Sequence, residues 1–564
     1  MKRDPGEPAA VLFLGALLAL LCSGHIQAQK PLSASSATAI DEVFTDIEEA
    51  APGCAVGVIA DNALAYAKGF GLANLDYGLP ITPRSNFYLG SVGKQFTAAA
   101  IVHAERAGHL SLDDPIQKWI PEIPEYDRPI TVRHLIHHTS GIRDYLGLMN
   151  LAGRNLANVF GEDEILALIA KQHAPNFVAG EEYLYSNSGY FLLSEIIERA
   201  TGMSLREYAT KELLGPLGMS RTRIHDDLRA IIPDRVVGYE LDDGEYVMDH
   251  VWNFDKVGSG GVYSSLEDLV HWDRNYYTEE VGGPGFTEQL RQRGVLANDS
   301  TIPYAFGLVH AEYRGLATIG HGGSLAGFRS ELLRFPDQRT TILVLCNFPT
   351  SNPGARARRV ADVVLADRLK RASTAAIAPE PEETTTAQLT PAQLDAFAGH
   401  WRASIGAEVE IRRERDGLVF IQGSSRSPLR ILSDSVLRLE SADIEMKLSE
   451  MTEGKYAFMS VVQRGQSFTA GRFDPESEDR DYSALLGEYY SEELDVTYRL
   501  SESERRLMLE APRDRRAPVF VRDDGRLRTP IGVLELKRDS GEVVGFTIDA
   551  GRVRGVYFER RRDR

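Results

Sequence analysis

A serine with a lysine three positions on, at the start of an apolar helix, has the makings of an activated nucleophile. In Gly90-Ser91-Val92-Gly93-Lys94-Gln95-Phe96 the alanine-rich stretch that follows runs to about Gly108, so Ser91 falls at a helix start and Lys94 about one turn on. A serine hydroxyl attacks a carbonyl only when a neighbour takes its proton, and a desolvated lysine can do that. The helix start adds unpaired N–H groups and a positive dipole end, which favour negative charge on the attacked oxygen. Alone, Ser-x-x-Lys should occur by chance about once or twice in a chain this long. Two further elements, in chain order, make the pattern specific. Tyr185-Ser186-Asn187 lies in a turn-like loop before an apolar helix, and His321-Gly322-Gly323-Ser324 follows a strand-like run. The two glycines suit a strand edge that substrate backbone must approach closely. Acyl transfer through a serine is the chemistry these types can perform together.

Other reactive side chains have plainer readings. His134, His137 and His138 lack a carboxylate or cysteine at ligand spacing, so capping or packing is expected and no metal is assigned. Trp252, Trp272 and Tyr263 read as core aromatics, with a place in the cleft as the alternative. Cys54 and Cys346 each adjoin an apolar strand-like run, so packing accounts for both; one disulfide between them is the alternative in an oxidising compartment.

The elements that must position these residues begin with Ile40, Val43, Phe44 and Ile47 at helical spacing behind capping serines. Two apolar runs between Gly53 and Asn74 flank Asp61-Asn62, the mark of a hairpin. Helical stretches dominate from about Ser91 to Tyr208, strands return at Leu316–Ile319 and Ser330–Leu345, and a last helix is expected over Ala355–Leu369. The pattern predicts one α/β domain whose ends meet in a single sheet.

At this point the sequence resembles the serine β-lactamase and penicillin-binding-protein family, in the branch with class C β-lactamases, carboxylesterases and D-stereospecific aminopeptidases. Its motifs are Ser-x-x-Lys, Tyr-x-Asn and Lys-Thr-Gly or His-x-Gly, in that order. The resemblance extends through Leu112-Asp113-Asp114-Pro115, Thr131 to Gly141, Pro216-Leu217-Gly218-Met219 and Gly260 to Ser264, and covers about residues 38–370. It implies a β-lactamase/transpeptidase-like domain, an antiparallel sheet flanked by helices with a helical subdomain, that uses neither metal nor cofactor. It implies Ser91 as the acylated nucleophile, with Lys94 and Tyr185 sharing proton transfer and the identity of the base open. Asn187 would bind the substrate amide and Lys94, His321, Gly322 and Gly323 would line the substrate strand, and the N–H groups of Ser91 and Ser324 would form the oxyanion hole. Penicillin-recognising members carry a lysine and a hydroxyl where this chain has His321 and Gly322, so weak β-lactam turnover and poor recognition of a terminal carboxylate are expected. The layout is similar to that of the D-stereospecific aminopeptidase, whose last barrel sends a substrate-limiting loop to its active site; no residue of 480–564 stands out for that role here.

The chain has 564 residues, 63 Lys plus Arg against 81 Asp plus Glu, 43% hydrophobic residues and 3 cysteines. That is ample for real cores and excludes a fibrous or disordered chain. A net charge of -18 argues against nucleic acid as a partner, and the arginines at 560–564 read as a solvated tail. Lys2 and Arg3 precede an apolar run from Ala9 to Cys22, too short for a span that needs roughly 20 residues, so residues 1–28 read as a secretory signal cleaved after Ala28. A retained anchor is the alternative; with cleavage, a periplasmic or secreted protein without a membrane span is expected. Residues 371–388, rich in Pro, Glu and Thr, read as a linker after a hydrolase domain at 29–370. Beyond it, short alternating segments predict two antiparallel β-barrels, at 389–479 and 480–564. A weak repeat supports them: Phe397-Ala398-Gly399-His400-Trp401 is similar to Leu485-Leu486-Gly487-Glu488-Tyr489, 88 positions on. The function expected is an exported serine hydrolase of small peptides, amides or esters, D-residues among them. The alternatives are a carboxylesterase, a β-lactamase, or a non-turnover binding protein of the sensor type. Oligomeric state is not legible.

Overall fold

A computed structural model describes residues 32–561 except 155–157, 159, 243–244, 250–255, 371–388, 404–407, 416, 423–424, 440–443, 453, 464–465, 474–480, 504–505, 514, 522–524 and 530. The expected signal segment, the expected linker and Trp252 lie outside the described residues.

The ends of the first domain do meet in one antiparallel sheet. Strands β1 (Cys54–Ala60) and β2 (Ala63–Phe70) join β3 (Val309–Tyr313), β4 (Leu316–Leu325), β5 (Phe328–Phe335) and β6 (Thr340–Cys346) in the order β3-β4-β5-β6-β1-β2. Asp61 and Asn62 both take positive φ (48° and 69°), as a two-residue hairpin of right-handed twist requires. Strand side chains alternate between faces, and both faces are covered, which is why β1 and β6 read as unbroken apolar runs. Ala55, Ile59, Leu343 and Leu345 pack toward the helical middle, whereas Val56, Val58, Ile342 and Val344 pack under helices at the two ends of the domain.

Those helices are α1 (Ala34–Asp41), N-capped by the Ser33 hydroxyl and prolonged by a 3-10 turn to Phe44, and α6 (Pro353–Val364). The latter stops short of the expected Leu369 because Leu365 leaves helical ψ (20°). On the other face lie α2 (Lys94–Arg106), α3 (Val132–Ile136), α4 (Asn187–Thr201) and α5 (Leu266–Thr278). Helix α2 is buried from Lys94 to Val102, and its alanines let neighbours approach closely. Trp272 and Tyr263 are buried core aromatics. Among the described residues no helix is long and apolar enough to cross a membrane.

Cys54 and Cys346 are opposed across β1 and β6, Cα atoms 4.1 Å apart, and form a disulfide. Packing alone is therefore corrected: strand register, which the sequence does not display, brings the sulfurs together.

Eight strands from Gly399–Ala403 to Gln466–Phe473 form a closed antiparallel barrel with its own core. The following nine-stranded sheet is all but closed as well, since its two edge strands, Arg515–Pro518 and Phe520–Val521, are separated in the chain only by Val519. The repeat is structural. Trp401 Nε1 donates to the carbonyl of Phe397 and the Tyr489 hydroxyl to that of Leu485, while Arg472 and Arg560, also 88 positions apart, donate to the carbonyls of Ala398 and Leu486. Arg560 thus belongs to a barrel wall rather than to a solvated tail.

Candidate active site

Ser91 lies in a 3-10 turn, Gly90–Gly93, that runs directly into α2. Gly90 has φ 55°, and a Cβ there would stand 2.7 Å from the Ser324 nitrogen; a Cβ on Gly323 would stand 2.0 Å from the Leu89 carbonyl oxygen. The nucleophile turn and β4 thus pack backbone against backbone, which puts Ser91 beside Ser324. Gly323→Ala should push the turn off the strand and lower kcat/KM by roughly a hundredfold, the cost of about 1 Å of misplacement. Gly322→Ala should lose far less, because its Cβ meets the end of the Glu331 side chain at 3.1 Å. Acylation rates of the two variants check this.

Lys94 is fully buried, and three oxygens surround its Nζ: Asn187 Oδ1 at 2.9 Å, Ser91 Oγ at 3.3 Å and the Ser259 carbonyl. Two of these only accept. A neutral amine gives its two N–H bonds to Asn187 and Ser259 and turns its lone pair to the Ser91 hydroxyl. Burial favours that form, lowering the Lys94 pKa to about 7, with Asp144 opposing the shift and Arg552 adding to it. Asn187 is oriented by Asp144, whose Oδ2 accepts from its backbone N (2.7 Å) and its Nδ2 (2.8 Å).

The Tyr185 ring lies against Lys94 Nζ, 4.9 Å from the centroid. Its buried hydroxyl faces Ser91 and among the described residues has no hydrogen-bond partner at good geometry, and burial holds its pKa far above the usual phenol value. His138 carries this loop: its Nδ1 accepts from the Ser186 N–H at 3.1 Å and its carbonyl from the Leu184 N–H. Its ring packs among Tyr185, Tyr190 and Tyr304. His134 closes a capping box with Thr131, and His137 packs edge-on to Phe306, so the three histidines cap and pack.

His321 is buried, its Nε2 3.1 Å from the Tyr304 hydroxyl, and burial with nearby Lys94 lowers its pKa to about 4. The imidazole is neutral at physiological pH, so this position supplies no cation.

Ser91, Tyr185, Asn187, His321, Gly322, Gly323 and Ser324 line one cleft of about 710 Å³, and Lys94 lies beneath it. Sequence reasoning missed Asp144, Ser259, Glu331 and Arg552. Asp144 and Ser259 stand within three residues of two segments that carry the family resemblance, one ending at Gly141 and one starting at Gly260, and that proximity is a signal for them. Glu331, half-buried, lines the cleft, and burial raises its pKa to about 7. Arg552 comes from the second barrel, and no local signal marks it.

A family profile described as Beta-lactamase matches residues 40–367. The chain is 28% identical over 451 residues to a D-aminopeptidase of Gluconobacter oxydans, covering 79% of this chain and 80% of that one. It is 27% identical over 406 residues to a penicillin-binding protein of Bacillus subtilis, covering 69% of this chain and 88% of the other. Among solved structures, the octameric penicillin-binding protein homologue from Pyrococcus abyssi matches with a TM-score of 0.52 at 22% identity, over 85% of this chain and 97% of that one, a likeness of fold.

Proposed function

The chain belongs to the Beta-lactamase family and is a serine hydrolase, and on that premise we propose that it is exported and cleaves small D-amino-acid amides and short peptides through an acyl-enzyme on Ser91. The observation that carries this reading is the buried Lys94 amine, held by two acceptors so that its lone pair meets the serine hydroxyl. Lys94 takes the Oγ proton as Oγ attacks the carbonyl carbon, and the N–H groups of Ser91 and Ser324 receive the oxyanion. Tyr185, a phenol at neutral pH, passes the proton to the leaving nitrogen as the C–N bond breaks. Water then attacks the ester and gives a proton to Lys94, which passes it to Ser91 Oγ as the C–O bond breaks and the acid is released.

Similarity to a D-aminopeptidase supports the substrate class. Export is supported by the disulfide, which suits an oxidising compartment, and by the signal expected at residues 1–28. The neutral His321 supports poor use of β-lactams.

Purified protein is tested on D-alanine p-nitroanilide, p-nitrophenyl butyrate and nitrocefin, each with a Ser91→Ala control. A serine-dependent rate on the D-anilide is expected, falling at least roughly a thousandfold in the control, with slow nitrocefin turnover. An ester-only rate makes the protein an esterase, and good nitrocefin turnover overturns the substrate reading. No serine-dependent rate, with a long-lived Ser91 adduct by mass spectrometry, moves it to a binding role.

A further inference from the structure

The cleft is cationic in a chain of net charge -18: among the described residues Arg329, Arg358 and Arg552 line it against one carboxyl, that of Glu331. Arg329 Nη1 donates to the Ala326 and Phe328 carbonyls. Arg552 is different. It occupies a two-residue turn between Glu542–Ala550 and Val553–Arg560, with Gly551 in the left-handed region at φ 64°. The turn is fixed on the hydrolase domain: the Arg552 carbonyl accepts from Asn176 Nδ2 (2.9 Å) and from the Asp144 N–H (3.3 Å), and Arg554 N donates to Asn176 Oδ1 (2.7 Å). From it the guanidinium reaches over the Tyr185 ring, 4.6 Å from the centroid, so that it and Lys94 both lie against the ring that faces Ser91.

Its nearest anion among the described residues does not satisfy it. Asp144 Oδ2 is 3.8 Å away and already accepts two N–H bonds from Asn187, while Oδ1 accepts from Leu146 and Gly147. Among the described residues the Arg552 guanidinium makes no hydrogen bond, and half of the side chain is exposed to the cleft. A planar fork of donors held there without an acceptor fits a carboxylate.

We propose that Arg552 is the specificity-determining residue of this cleft and selects acyl groups that carry a carboxylate near the scissile carbonyl, such as an acidic D-residue. This rests on, and narrows, the hydrolase reading above. Arg552 brings charge recognition from the second barrel to the Tyr185 ring, whereas Arg358 stands with Glu331 beside Gly354.

The test compares D-glutamic acid α-(p-nitroanilide) with the near-isosteric D-glutamine α-(p-nitroanilide). Wild type should favour the acid roughly tenfold to a hundredfold in kcat/KM. Arg552→Gln should bring that ratio near one and Arg552→Glu should invert it. The ratio is the readout because loss of Arg552 also relieves its charge on Lys94, which alters both substrates alike. Calorimetry of the two anilides on Ser91→Ala protein reads the same preference without turnover, so it decides the inference even where the hydrolase reading fails. A ratio near one in wild type, or a ratio unmoved by Arg552→Gln, overturns it. A preference for D-Ala-D-Ala over D-alanyl-D-alaninamide that Arg552→Gln abolishes places the carboxylate on the leaving side and overturns the acyl assignment.

Discussion

Lys94→Met removes roughly three to four orders of magnitude from kcat/KM, about 4–5.5 kcal/mol of transition-state stabilisation, while the protein stays folded. The Nζ atom is the group within reach of Ser91 Oγ whose pKa lies near working pH, whereas Tyr185 keeps its proton throughout that range. The fold should tolerate the change. Methionine fills a similar volume and ends the cost of burying an amine, and the loss of donors to Asn187 Oδ1 and the Ser259 carbonyl offsets that gain. The sign of the pH dependence follows from the shift. Burial lowers the Lys94 pKa to about 7, and the active form is the free amine, so kcat/KM should rise about tenfold per pH unit below about 7 and level off above it. Lys94→Arg should not rescue activity, because a guanidinium stays protonated at working pH and offers no lone pair to take the serine proton. Single-turnover acylation rates across pH 5–9 measure both effects. A methionine variant that acylates at a tenth of the wild-type rate or better, with the acid limb in place, would transfer the base role to Tyr185.

What the sequence made legible is what lies close together along the chain. Ser91 and Lys94 share one helical turn, Tyr185 and Asn187 one loop, and His321 to Ser324 one strand edge, so spacing alone connects their types to a reaction. Asp61-Asn62 marked a hairpin for the same reason, since two positive φ angles at adjacent residues are a local demand. The two barrels were legible through alternation and through a repeat that extends, in the structure, to Arg472 and Arg560. The missed residues act across distance. Cys54 meets Cys346 because β1 and β6 fall into one register, 292 positions apart. Asp144 is a helix N-cap by local chemistry, yet its other oxygen holds Asn187, and only packing gives it both tasks. Arg552 stands in an ordinary Gly-Arg turn, and its place in the cleft follows from how a whole barrel docks.

That docking leads to the largest stability effect: Glu493→Gln should cost about 3–5 kcal/mol, because it leaves Arg143 buried without its counter-ion. The pair is 2.7 Å apart with side chains 3% and 5% exposed, and Glu493 also accepts from the His173 N–H at 2.8 Å. Around it the two surfaces fit closely. The Tyr498 hydroxyl donates to the Leu151 carbonyl, and Gly147 and Gly153 leave room for Val553 and Pro512 that a Cβ would take. The second barrel's apolar residues join the hydrolase core, whereas the first barrel keeps a separate one. Arg143 precedes Asp144, and Asp144 holds Asn187 against Lys94, so loosening the barrel should also displace the amide that orients the base. The single variant is therefore expected to melt several degrees lower and to lose kcat more than KM. Replacing both partners, Arg143→Met with Glu493→Leu, should recover much of the stability, since two apolar groups leave no charge stranded. Melting curves and kcat on the D-anilide separate the roles. A Glu493→Gln protein that melts and turns over like wild type refutes both, while a double variant that melts like wild type yet keeps the low kcat assigns the pair to positioning Asn187 rather than to holding the barrel in place.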